Sequence, residues 1–454
     1  MLNNNQEEDL MTKTEDISPD KVHTTLAKYM LTDGFNIVLD MKNSKGSILI
    51  DAKTGIKYID FFTFFASNPL GMNHPGINNE KFRTRLADVA MVKPSNSDIY
   101  TNYLAEFVET FGRIAKPEYM KHLFFVSGGA LAVENGLKVA FDWKVQKNFE
   151  KGYKEEKGHK VLHFKEAFHG RSGYTMSLTN TDPVKVKYFP KFDWPRVINP
   201  KITFPLEDNL ESVKKLEQQS IEEIQNAIKN NKDEIAVIII EPIQGEGGDN
   251  MFRKEFFETL RKIADENEIL LMFDEVQTGV GLTGKMWAHE YYVKPDIISF
   301  GKKTQACGIM VSDRIDDIKN NVFNVSSRIN STWGANLVDM VRSQRIFEII
   351  EEENLVENAR VQGEYLKESL MKIQNDFPHL VSNTRGLGLM CSFDLTNSEI
   401  RNNFTKMCEK EKLLILGCGQ KTVRFRPALN IKREYLDEGL NIIRKVLTLM
   451  ASNN

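Results

Sequence analysis

The chain has 454 residues, of which 41% are hydrophobic and 27% charged, with 60 basic against 63 acidic side chains and a formal net charge of −3. That length exceeds one simple core and suits two or three lobes able to enclose a large site, and the near-even charge balance argues against a nucleic-acid binder, which would carry a basic excess. The four cysteines show no CxxC spacing, so they read as free thiols of a reduced protein with neither a disulfide framework nor a metal site.

Residues 1–20 are polar and acidic, without an apolar h-region, and read as a flexible lead; together with the absence of any apolar run of about 18 residues this predicts a cytoplasmic protein without membrane contact. From Ser18, SPDKVHTTLAKYML offers an N-cap serine, a proline at the first helical position and apolar spacing that predicts one helix. GSILIDAKTG and IKYIDFF then alternate around a Thr54-Gly55 turn as a short meander. The stretch FTFFASNPLGMNHP holds too many aromatics for a surface loop and reads equally as core packing or pocket lining.

A large domain is expected from about residue 78 to 340. In LFFVSGGALAVENGLKVAFDW a strand, Leu123 to Val126, runs into Ser127-Gly128-Gly129-Ala130 and then a helix with apolar Leu131, Val133, Leu137 and Ala140. Small residues at Gly129 and Ala130 let the backbone close on an anion, and the helix start offers free N–H groups and the positive end of its dipole. Strand Val161 to Phe164 leads into Phe168, His169, Gly170 and Arg171, where a guanidinium fork could hold a carboxylate by two bonds. Between Thr181 and Asp233 the sequence is charged and irregular, then helical through Glu211 to Lys229. The apolar strand Ala236 to Ile240 opens EPIQGEGGDN.

Two further apolar runs, Ile269 to Phe273 and Ile297 to Phe300, read as buried parallel strands. Ligands of an open parallel sheet sit beyond the carboxyl ends of its strands, so Asp274 and Lys302 would face one crevice. An acid and an amine so placed suit pyridoxal phosphate chemistry, in which lysine forms a Schiff base and the acid keeps the pyridine nitrogen protonated. From Ala335 a long helical pattern leads into a second domain at 341–454, where TRGLGL with MCSFDL, LLILGCG and TVRFRPAL read as strands. Period two puts Arg424 and Arg426 on one strand face, leaving either as a site arginine.

The stretch Ile269 to Cys307, with DEVQTG, a Gly/Thr turn and PDIISFGK, resembles the class III (omega) aminotransferases of the pyridoxal-phosphate fold type I. The resemblance covers nearly the whole chain from about residue 20, with motifs in family order. It implies an α/β fold: a large domain with a mostly parallel, seven-stranded type of sheet, and a small α/β domain assembled from residues 21–77 and 341–454. It implies pyridoxal 5'-phosphate as cofactor, Lys302 rather than Lys303 as Schiff-base lysine, and Asp274 beside the ring nitrogen. Phe168 would stack on the ring and Gln277 would bond its phenolic oxygen. The family places a Ser or Thr, then Glu, where this chain has Gly129 and Ala130, which leaves the phosphate cradle to backbone amides. Arg171 would anchor the distal carboxylate and Arg424 the carboxylate beside the reacting amine. Glu246 of EPIQGEGG would pair with Arg424 whenever no carboxylate does, whereas Glu241 would be structural. Thr332 would reach the phosphate of a neighbouring subunit, which makes a two-fold dimer.

Within the family, GKKTQACG looks most like the lysine 6-aminotransferase branch. That implies transfer of the ε-amino group of L-lysine to 2-oxoglutarate, giving 2-aminoadipate 6-semialdehyde and glutamate. An ornithine or 4-aminobutyrate aminotransferase would use the same three charges. An aminomutase would need no external oxo acid, and a non-catalytic regulator would need a fused DNA-binding module for which the chain shows no sign.

Overall fold

The computed structural model describes residues 16–452; of the expected flexible lead, residues 1–15 lie outside the described residues. Its centre is a seven-stranded sheet built from β3 (Met120–Val126), β4 (Lys160–Phe164), β5 (Arg196–Val197), β6 (Ile235–Ile240), β7 (Leu270–Asp274), β8 (Ile297–Phe300) and β9 (Cys307–Ser312). The order across the sheet is β3-β9-β8-β7-β6-β4-β5. The run from β8 to β5 is parallel, and β9 turns back antiparallel against β8 and β3.

Both faces of this sheet are covered, which is why its middle strands are continuous apolar runs rather than alternating ones. Successive residues of β6 go to opposite cores. Val237 and Ile239 pack with Val133, Leu137, Ala140 and Trp143 of helix Gly129–Glu150, while Ile238 and Ile240 meet Phe256, Phe257 and Leu260 of helix Lys254–Glu266. Gly136 lets the first of these helices press close, since a Cβ there would stand 2.6 Å from Met272 Cε.

Two smaller sheets use the rest of the chain. β1 (Ile48–Ile50) and β2 (Lys57–Asp60) form the expected meander, and β12 (Leu413–Leu414) joins β2 in parallel through Leu413↔Ile59 and Leu414↔Asp60. β10 (Ser382–Leu387), β11 (Met390–Asp394), β14 (Thr422–Phe425) and β13 (Leu416–Cys418) follow in that order in a four-stranded sheet. The four cysteines are buried and free, and among the described residues no helix is long and apolar enough to cross a membrane.

Two expectations change, and one stretch that packs against the core as expected does so with an unusual backbone. The helix expected from Ser18 is a 3-10 turn, Pro19–Lys21, and a five-residue helix, Val22–Leu26; Ser18 makes no capping bond, and Tyr29 to Leu31 lie exposed. So short a helix with no core beneath it has nothing to extend it. The long pattern after Ala335 is two helices, Leu337–Glu352 and Leu355–Asp376, broken at Asn354, whose φ of 50° is left-handed. The aromatic stretch after β2 is a left-handed turn, with φ between 41° and 62° at Thr63, Phe64, Phe65 and Ala66. Such backbone costs on the order of 1–3 kcal/mol per residue and persists only where surroundings enforce it.

Candidate active site

The parallel pairing of β7 with β8 sets Asp274 opposite Ser299, three residues before Lys302. Lys302 then opens a 3-10 turn, Lys302–Thr304, with a left-handed φ of 54°. The turn sends consecutive lysines to different places. Lys302 lines a cavity of about 250 Å³ together with Gly129, Ala130, Phe168, Glu246, Asp274 and Gln277. Lys303 is buried on the far side, donating to the carbonyls of Gln277 at 2.7 Å and Ala66 at 3.3 Å. Removal from water, followed by the nearby Arg424, pulls the Lys302 ammonium down to about 8.

At the cavity floor Asp274 accepts from the backbone N–H of Val276 at 3.1 Å, and its other oxygen lies 2.8 Å from His169 Nδ1. A carboxylate can only accept, so this imidazole nitrogen donates. His169 is buried and its Nε2 has no partner. The position was visible in sequence beside Phe168, but nothing there signalled a role. Glu241 also lines the cavity, accepting from the backbone N–H groups of Phe168 at 2.9 Å and Gly245 at 3.1 Å. Burial and then the charge of Asp274 hold its carboxyl well above the usual range, against those two donors. Glu241 splints the backbone through these two bonds, and its raised proton affinity disfavours a second anion beside Asp274.

The cradle at the start of helix Gly129–Glu150 has no side-chain cap, and its N-cap Gly128 has φ 124°. The first backbone N–H groups are therefore open to an anion. A Cβ at Gly129 would come within 2.9 Å of Val276 Cγ1, so the missing hydroxyl coincides with a close approach of two chain segments. An uncapped helix start, a lysine with a lowered proton affinity and a buried acid fit a phosphorylated pyridine aldehyde.

At the mouth of the cavity Glu246 bonds two cations. Arg424 Nη1 reaches one carboxylate oxygen at 3.0 Å, and Lys185 Nζ donates to the other at 2.6 Å. Burial pushes Glu246 up, but Arg424 and Lys185 outweigh it and hold the carboxyl below its usual range. Arg424 projects from β14, whose pairing with Ser392 and Leu416 fixes its position. Arg426 lies beyond the strand end and is engaged elsewhere, in a pair with Asp249 and a 3.0 Å bond to Gln277 Oε1. Nothing in the sequence pointed to Asp249 or Lys185.

Two expected residues stand apart from the Lys302 cavity. Arg171 is exposed and lines an adjoining cavity of about 950 Å³ with Lys185, Phe189 and Phe192; the two cavities meet at the Lys185–Glu246 contact. Thr332 is exposed, with its carbonyl accepting from the hydroxyls of Ser95 and Ser97.

A parallel α/β sheet that brings an amine and a carboxylate to the ends of adjacent strands, beneath an open helix start, defines a pyridoxal-phosphate enzyme. The chain belongs to the aminotransferase class-III family, whose model matches residues 29–447, and it is a pyridoxal-phosphate-dependent aminotransferase. It is 48% identical over 435 residues to the L-lysine-epsilon aminotransferase of Mycobacterium tuberculosis, covering 95% of this chain and 96% of that one. Identity to the L-lysine-epsilon aminotransferase of Amycolatopsis lactamdurans is 46% over 427 residues, 93% of this chain and 94% of that one. The solved structure of the lysine aminotransferase from M. tuberculosis in its internal aldimine form matches with a TM-score of 0.94 at 48% identity, over 95% of this chain and 100% of that chain.

Proposed function

We propose that the enzyme transfers the ε-amino group of L-lysine to 2-oxoglutarate, giving 2-aminoadipate 6-semialdehyde and L-glutamate. The observation that carries this reading is the pairing of Arg424 with Glu246. With Arg424 paired, its guanidinium is not open to a carboxylate at the reacting end, so an amine whose neighbouring carbon bears none is favoured. Lysine meets that condition at its ε end and keeps its α-carboxylate for the distal anchor, Arg171. The names of the relatives support the same substrate.

Bound pyridoxal phosphate supplies an aldehyde for the amine and a cationic ring that accepts an electron pair. Lys302 Nζ holds the cofactor and, as a neutral amine, takes the proton from the substrate carbon bearing the departing nitrogen. Asp274, oriented by His169, would hold its carboxylate toward the ring nitrogen. Gly129 and Ala130 offer backbone N–H groups to the phosphate, and Phe168 supplies a flat apolar face to the ring. Gln277 Oε1 accepts from Arg426, which leaves its amide N–H to donate to the phenolic oxygen. Glutamate, reacting at its α-amine, brings a carboxylate to Arg424, and Glu246 must then release that arginine.

The proposal extends to a homodimer in which Thr332 serves the partner's site. Thr332 is exposed and away from its own chain's cavity, beside apolar side chains left open to solvent: Met91, Val92, Ile99, Tyr100 and Trp333. A patch of that kind suits an interface. It extends also to cytoplasmic residence and to the division into a large domain of residues 78–340 and a small one shared by 21–77 and 341–454, which the three sheets support.

Lysine carrying heavy nitrogen at its ε position, incubated with 2-oxoglutarate, is expected to pass the label to glutamate. Label arriving instead from α-labelled lysine, or only from ornithine or 4-aminobutyrate, would overturn the assignment.

A further inference from the structure

Lys185 belongs to none of the roles above, yet it bonds the one carboxylate that must move. It ends a 3-10 turn, Pro183–Lys185, that Asp182 caps by accepting from Val184 N–H at 3.0 Å. Its ammonium lies 2.6 Å from Glu246 Oε1, 3.4 Å from Thr181 Oγ1 and 5.5 Å from the centre of the Phe168 ring. No other carboxylate among the described residues forms an ion pair with it.

We propose that Lys185 is the second holder of Glu246: it keeps that carboxylate when an incoming α-carboxylate takes Arg424, and so sets how readily the dicarboxylate half-reaction runs. The inference rests on the reading of Arg424 and Glu246 given above. In the closed state Glu246 shares its two oxygens between Arg424 and Lys185. When Arg424 turns to a substrate carboxylate, a Glu246 without another cation would be left half-buried and uncompensated, which is strongly unfavourable. Lys185 removes that penalty, because the side chain can pivot about an existing bond instead of breaking both.

Charge bookkeeping agrees. Arg424, Lys185 and Glu246 sum to one net positive charge, which the α-carboxylate of glutamate or 2-oxoglutarate neutralises; lysine, presenting its ε-amine, brings no anion there. Without Lys185 the same carboxylate would have to displace Glu246 from its only cation. Lys185 lines the larger cavity and Glu246 the Lys302 cavity, so their contact stands between the two. The bonds to Glu246 and Thr181 position the ammonium before any substrate arrives.

The test uses the holoenzyme with Lys185→Met, which keeps the stem and removes the charge, and Lys185→Arg as the conservative variant. Single-turnover rates are measured separately with lysine and with glutamate. Dissociation constants are measured for glutarate, which carries a carboxylate for each anchor, and for 6-aminohexanoate, which carries only the distal one. In Lys185→Met the glutamate rate is expected to fall roughly tenfold relative to the lysine rate, the scale of one lost charge-assisted hydrogen bond. Glutarate should weaken by a similar factor while 6-aminohexanoate stays within about twofold, and Lys185→Arg should restore both ratios. Equal loss in both half-reactions with both ligands weakened would make Lys185 a common carboxylate anchor and overturn the proposal. An unchanged ratio would overturn it too. Failure of the underlying reading shows elsewhere, in an unmutated enzyme that does not take nitrogen from the ε position of lysine.

Discussion

At the scale of single residues, the site depends on an amine that has lost part of its hydration. The folded state holds the Lys302 ammonium near 8, below its ordinary value of 10.5, because burial and Arg424 both disfavour the charge. The sign follows directly: the neutral, nucleophilic fraction grows as pH rises through about 8, well before that of a solvated lysine. Capture of pyridoxal phosphate by the apoenzyme should therefore accelerate from pH 6 to about 8.5 and then level off, followed by absorbance in rapid mixing. A rate still climbing at pH 10 would contradict the depressed value. Sequence alone revealed Lys302 and Asp274 because strand ends announce themselves by the apolar runs before them. His169 and Lys185 gave no such signal, since their partners, Asp274 and Glu246, are 105 and 61 residues away along the chain.

At the scale of elements, the two arginines near β14 show how a strand end decides roles. Alternation would have put Arg424 and Arg426 on one face, but the strand stops at Phe425 and only Arg424 belongs to it. Arg426 turns into a fully enclosed pair with Asp249, 3% exposed on each side. Breaking a buried pair from one side typically costs about 3–5 kcal/mol. Arg426→Met is thus expected to lower the thermal midpoint by several degrees. Arg424→Met, whose partner Glu246 keeps Lys185 and some solvent, should cost less stability and instead depress the glutamate half-reaction. Calorimetry paired with single-turnover rates separates these outcomes; equal destabilisation by both would undo the distinction. The strands of the central sheet were legible from apolar runs of the right length. The left-handed turn at Thr63 to Ala66 was not, because no local preference of Thr or Phe favours it. It is held from outside, by Thr63 Oγ1 donating to Arg426 O at 2.6 Å and by Lys303 reaching Ala66 O, and it stands Phe65 against the Arg424 guanidinium, 5.8 Å from ring centre to Cζ.

At the scale of the whole molecule, the proposal that the site is shared between subunits makes its own prediction. If Thr332 serves the partner's cofactor, a hybrid dimer of one Lys302→Ala protomer and one Thr332→Ala protomer contains one intact site. Each parent dimer contains none. Mixed, refolded and purified hybrids should recover about half the activity of the unmutated dimer and exceed the mean of the two parents, as two-fold symmetry requires; activity equal to that mean would place Thr332 outside the partner's site. Of the pairing between the two chain ends, the family resemblance gave only the expectation of a small domain drawn from both. The contact that joins them was not legible, because β2 and β12 are short and lie some 350 residues apart, too far for any local pattern to couple. That junction also dictates an order of events during synthesis. While the ribosome is still making the middle of the protein, β2 has its meander partner on one side and an open hydrogen-bonding edge on the other. Closing a loop of this length costs about 5 kcal/mol of chain entropy, and it cannot begin until Leu413 and Leu414 have left the exit tunnel. Arg424, proposed to meet the α-carboxylate, follows on the same last stretch, so a nascent chain has the strands of its central sheet before it has that arginine. Until then an unpaired strand edge needs shielding from its neighbours.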